Sequence, residues 1–104
     1  MIIEIADISV RSGCGIEFEK AVLSALETVF PKANGFVGHR FHRGIESPDR
    51  YVLQLTWETL ENHTVDFRGS ALFSEWRSMV GAYFANPPRV EHFQIVCGSE
   101  IEKE

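Results

Sequence analysis

Residues 51–80 read YVLQLTWETLENHTVDFRGSALFSEWRSMV, and the spacing of hydrophobic residues changes inside this stretch. Its first part has a period of two: Tyr51, Leu53, Leu55 and Trp57 alternate with Val52, Gln54, Thr56 and Glu58. Successive strand side chains point to opposite faces, so 51–58 is predicted as a strand. From Thr59 the period lengthens. Thr59 is placed as a helix N-cap, with Glu61 in the first turn where the helix dipole favours an acid. Leu60, Thr64 and Phe67 make the expected buried stripe, with His63 on its edge. Gly69 breaks this helix, and Ser70 is expected to cap the next. The second stripe is Phe73, Trp76, Val80 and Tyr83, with Leu72 and Met79 alongside. Asn86-Pro87-Pro88 stops it, because proline lacks an amide hydrogen and has a locked φ.

Upstream, FVGHRFHRG (36–44) reads as a weaker strand. Ser47-Pro48-Asp49 reads as a turn, with proline pre-setting φ at its second position. The two strands therefore form a hairpin. Before them, Phe18, Val22, Ala25 and Val29 recur at helical spacing, widened by Leu26 and Phe30, until Pro31 ends the helix and KANG (32–35) turns the chain. IIEIADISV (2–10) is a strand with Ile3 and Ile5 on one face and Ile2, Ile8 and Val10 on the other. Downstream, VEHFQIVCG (90–98) is the last strand.

The order is strand, helix, strand, strand, helix pair, strand. It predicts an α+β fold of the ferredoxin-like split βαβ kind, an antiparallel sheet with helices on one face. The expected domain is 1–98, followed by an acidic tail at 99–104. Helices on one face leave the other bare, yet the first strand is apolar on both. A second copy packed sheet to sheet would cover it, so a homodimer is expected.

A chain of 104 residues is one domain. The net charge of −5 and the lack of any basic run argue against a nucleic-acid partner. No stretch is long and apolar enough to span a bilayer. The acids in MIIEIADISV leave no basic n-region for an export signal, so a cytoplasmic location is expected. Cys14 and Cys97 are then expected to be reduced.

His63 and Phe67 lie one helical turn apart and share a direction. His63 is either a proton acceptor for a phenol, since imidazole titrates near neutrality, or a structural histidine tying helix to sheet. The aromatic stripe Phe67, Phe73, Trp76 and Tyr83 reads first as core, although the polar tips of Trp76 and Tyr83 need partners when buried. His39 and His42 point to opposite faces, and no metal-ligand spacing is present, so no metal site is expected. His92 shares parity with Gln94, and Gln54 with Thr56; these line a pocket or satisfy one another at the dimer interface. Asp7, mid-strand, is expected to pair with Arg68, Arg77, Arg40 or Arg43. The glycines of SGCG and RGIE are turn residues.

Trp57, Glu58, Thr59, Glu61, His63, Phe67, Arg68, Ser70, Phe73 and Trp76, with VEHF at 90–93, form a pattern that resembles the antibiotic biosynthesis monooxygenase domain of the dimeric α/β barrel superfamily. The resemblance runs from Ile2 to about Val96. It implies a homodimer with a pocket between sheet and helices in each subunit. Some relatives oxidise phenols or hydroquinones with O2 and use no metal, flavin or haem. The implied activity is therefore a cofactor-independent monooxygenation of a small aromatic substrate. If the pocket is catalytic, His63 is the expected catalytic residue, with Phe67, Trp76, Tyr83 and His92 expected to bind substrate. A second branch of the superfamily degrades haem. The positions nearest its signature hold Asp7, Phe67 and Arg77, without the histidine ligand, so haem is not expected. The alternative is a non-catalytic barrel that binds a small apolar metabolite.

Overall fold

The computed structural model describes residues 1–99. The acidic tail expected at 99–104 falls, after Ser99, outside the described residues. Strand β1 (Ile2–Ser9) leads to helix α1 (Gly15–Thr28), then to the hairpin of β2 (Phe36–Arg43) and β3 (Arg50–Trp57). A π-helical segment, Asn62–Phe67, and helix α2 (Ala71–Val80) precede β4 (Arg89–Gln94). The sheet order is β2-β3-β1-β4, and every pair is antiparallel. This is the ferredoxin-like α+β arrangement.

The alternation in β3 is realised residue by residue. Tyr51, Leu53, Leu55 and Trp57 are buried under the helices, whereas Val52, Gln54 and Thr56 face the other side. From α1, Phe18, Val22 and Ala25, with Val29 just past its end, meet that floor and are fully buried. Ser47 O accepts the Arg50 amide at 2.9 Å, closing the hairpin turn around Pro48 and Asp49. β4 is shorter than the run 90–98 suggests. It pairs with β1 only as far as Gln94 opposite Ile2, where β1 begins and the ladder runs out of partners.

The largest departure from the predicted helices lies at 59–70. Thr59 does cap: its hydroxyl accepts the Asn62 amide at 3.1 Å, and Asn62 Oδ1 accepts the Thr59 amide at 3.0 Å. Gly35 supports this corner. Its φ is +77°, and a Cβ there would collide with the Asn62 side chain. Beyond the cap, the Arg68 amide reaches back five residues to His63 O at 3.1 Å. The wider turn re-aims the stripe. His63 and Phe67 are the buried residues, while Leu60 is 39% exposed. His63 is thus in the interior and not on its edge. Ser70 stands at the start of α2 with extended backbone, yet its hydroxyl donates to Phe67 O at 2.7 Å and caps no helix amide. It fastens the end of the π segment instead.

Candidate functional site

The sheet, the π segment, α2 and the 84–88 segment enclose a cavity of about 560 Å³. Its floor comes from small and aliphatic side chains on the helix-facing side of the sheet, including Ala6, Ile8, Leu53 and Leu55. Its roof is aromatic: Phe67, Phe73 and Trp76. Phe30 fixes the roof, stacking on Phe67 at 5.3 Å and meeting Trp76 edge-on at 5.0 Å between ring centroids.

One floor residue is a carboxylic acid. Glu4 lies on β1 in the same parity as Ala6 and Ile8 and is 6% exposed. Its Oε1 accepts the Trp57 indole N–H at 2.9 Å and lies 3.4 Å from His63 Nε2. Among the described residues its Oε2 accepts no hydrogen bond, yet no buried polar side-chain atom is left without a partner; Oε2 therefore opens onto the cavity. On the far side of the His63 ring, Nδ1 is 2.8 Å from His92 Nε2. The register explains the meeting, because His92 sits directly opposite Glu4 in the β1–β4 pair. A polar chain Glu4–His63–His92 thus runs from the cavity floor to the half-buried edge strand.

Burial decides the charges along this chain. It raises the Glu4 carboxyl to about 7, against smaller opposing effects from the Trp57 hydrogen bond and the Arg68 charge. Burial also lowers His63 to about 4, helped by Arg68 and His92. His92 is lowered by burial and then by Arg68. The imidazoles are therefore neutral at pH 7, and the carboxyl titrates near neutrality.

Of the residues singled out from sequence, His63, Phe67 and Trp76 all line the cavity. Tyr83 does not. It lies in a 3-10 turn after α2, with its ring packed on Phe18 at 6.3 Å, because the helix ends at Val80 and breaks the stripe. His92 is behind His63, outside the lining. Gln54 and Thr56 share the opposite sheet face, away from the cavity. So does Asp7, whose partner is none of the four arginines expected: Arg50, on the adjacent strand, donates to it twice, at 3.0 and 2.7 Å. That pair holds the Asp7 carboxyl below its ordinary range. Arg68 and Arg77 line the cavity instead. Glu4 is not singled out by sequence, although its parity with Ile2, Ile8 and Val10 put it on the buried face. Among the described residues no three His, Cys, Asp or Glu side chains are grouped to hold a metal ion.

The sequence profile of the antibiotic biosynthesis monooxygenases matches residues 1–79. The uncharacterized protein YczJ of Bacillus subtilis (strain 168) is 35% identical over 96 residues, covering 92% of this chain and all of YczJ. A crystal structure from Bordetella bronchiseptica, assigned to the same monooxygenases, superimposes with a TM-score of 0.89 at 50% identity, over 92% of this chain and 97% of that one. SnoaB of Streptomyces nogalater, a cofactor-independent oxygenase, has the same fold: TM-score 0.78 at 18% identity, covering 93% and 94% of the two chains. The chain belongs to the antibiotic biosynthesis monooxygenase family.

Proposed function

We propose that the protein is a cofactor-independent monooxygenase that oxidises a small phenolic or quinol-type aromatic with O2. Glu4 carries this reading: a carboxyl titrating near neutrality, with one oxygen open to an aromatic-walled cavity. Such chemistry needs three things from a protein: a site for an aromatic ring, a group that removes a phenolic proton, and exclusion of water. Phe67 and Trp76 hold the ring. Glu4 Oε2 accepts the hydroxyl proton. The protonated carboxyl then turns to present its proton to His63 Nε2, which lies 3.4 Å from Oε1, and His63 releases another from Nδ1 to His92, which passes it to solvent. This keeps His63 in the machinery as the relay behind the acceptor. The phenolate, richer in electrons than the phenol, reduces O2. For a phenol converted to a quinone, one oxygen atom enters the ring, the other leaves as water, and the substrate supplies all four electrons.

We place the enzyme inside the cell, where Cys14 and Cys97, both free in the structure, stay reduced. Its working unit is a homodimer joined through the sheet face that the helices leave bare. Half-buried Ile3 and Ile5 and the exposed ring of Phe93 on that face support this. The function is tested by following O2 uptake with a panel of phenols, naphthols and hydroquinones against boiled protein. Tight binding of such compounds with no uptake by any of them would favour a metabolite-binding barrel instead.

A further inference from the structure

Two arginines share the cavity with Glu4. Arg68 lies just after the π segment and Arg77 lies in α2, and both reach its lining. Among the described residues neither forms a salt bridge, whereas Arg43 and Arg50 are paired with Glu19 and Asp7 at 2.8 and 2.7 Å. The lining contains a single carboxyl, Glu4, whose Oε1 is already engaged by Trp57 and His63. The chain as a whole carries 15 acids against 10 Lys and Arg, yet this cavity carries two cations against one acid. Arg77 is oriented as well as charged, since its guanidinium lies over the Phe73 ring at 5.8 Å from the centroid. Guanidinium groups at the rim of an apolar cavity suit a planar anion, which they hold through paired N–H donors.

We propose that Arg68 and Arg77 form an anion clamp, and that the cavity selects an aromatic substrate bearing a carboxylate. This rests on the cavity being the substrate site of the proposed oxygenase, and it adds the substrate's charge. The ring lies under Phe67 and Trp76, the carboxylate reaches the arginines, and the phenolic hydroxyl is left for Glu4. The acidic remainder of the protein does not oppose entry strongly, because surface charges beyond about 10 Å are screened at physiological salt.

Three probes differing in one group test the clamp: 6-hydroxy-2-naphthoate, its primary amide, and 2-naphthol. Calorimetric titration under anaerobic conditions at pH 7.5 measures binding apart from turnover. The acid is expected to bind about 10-fold or more tighter than the amide, the range for a charge-assisted contact. That advantage should shrink as salt is raised. In the double variant Arg68→Gln/Arg77→Gln the acid should fall to the level of the amide, while the amide's own affinity holds within about threefold, since it lacks the charge the arginines recognise. Equal binding of acid and amide, an acid preference that survives in the double variant, or no binding of any probe at millimolar concentration overturns the clamp. A clamp that passes while no compound of the phenol, naphthol and hydroquinone panel supports O2 uptake sinks the oxygenase reading alone.

Discussion

His63 Nδ1 and His92 Nε2 meet at 2.8 Å, so one ring must donate and the other accept. Two histidines on different elements are thereby held in complementary tautomers. If His63 donates from Nδ1, its Nε2 lone pair faces Glu4 Oε1 at 3.4 Å, a gap that must close before a proton passes between them.

Glu4→Gln keeps the size of the side chain and an oxygen for the Trp57 N–H but cannot take a proton. The turnover of a phenolic substrate should fall by about 10²–10⁴-fold, the range for loss of a general base. Circular dichroism should stay close to that of the parent. A variant retaining more than about a third of parental turnover removes Glu4 from the acceptor role.

Trp57→Phe deletes the one N–H that stabilises the ionised Glu4. Losing a hydrogen bond to a charged group costs about 1.5–3 kcal/mol, and denaturant titration should register it. The same bond lowers the Glu4 pKa, so without it the carboxyl titrates at higher pH. The acidic limb of the kcat/KM profile, expected near pH 7 in the parent, should move upward. A limb that stays in place would separate Glu4 from the rate.

Stability against pH should expose two buried groups with opposite signs. Glu4 is raised from 4.5 to about 7 on folding, so its contribution is full below pH 4.5 and is lost as pH rises through 7. His63 is lowered from 6.5 to about 4, so its contribution is present above pH 6.5 and is lost as pH falls through 4. Between pH 4.5 and 6.5 the two offset each other. Relative to the parent, Glu4→Gln should gain stability as pH rises across that window, and His63→Gln should lose it. Parallel curves for all three proteins would contradict the assignment. The charged or titratable neighbours Arg68 and His92 remain in every variant.

The helix-free sheet face gives a fourth expectation. Light scattering at micromolar concentration should give the mass of a dimer, and Ile5→Lys, which puts a charge at the centre of that face, should shift it toward monomer. A parent protein that runs as a monomer would discard the sheet-to-sheet pairing.

Legibility in the sequence differs sharply between elements. The β3 alternation and the α1 stripe could be read directly, because one periodic face contacts one continuous core: Phe18, Val22 and Val29 are all fully buried. The roof residues came from the same kind of periodicity. Tyr83 came from it too but misses the cavity, because a stripe extrapolated past Val80 assumes a helix that the chain abandons for a 3-10 turn. Asp7 was correctly expected to be paired, but its partner depends on register: Arg50 lies diagonally across the β1–β3 ladder. Glu4 was hidden by its chemistry. A charged residue between isoleucines reads as the solvent face unless the parity of Ala6, Ile8 and Val10 is traced through it.

The π-helical turn makes the site sensitive to chain length in a way the fold is not. Such a turn holds one residue more than an α-helical turn needs. Deleting a residue such as Val65, which is 61% exposed, would let the segment close into an ordinary α-helix while the sheet, α1 and the hairpin stayed intact. His63 and Phe67 would then lie three residues apart in an α-helix, turned about 60° from each other about its axis, which disturbs the contacts from His63 to Glu4 and His92. A single indel in this turn could therefore separate family members that keep the polar relay from members that keep only the scaffold.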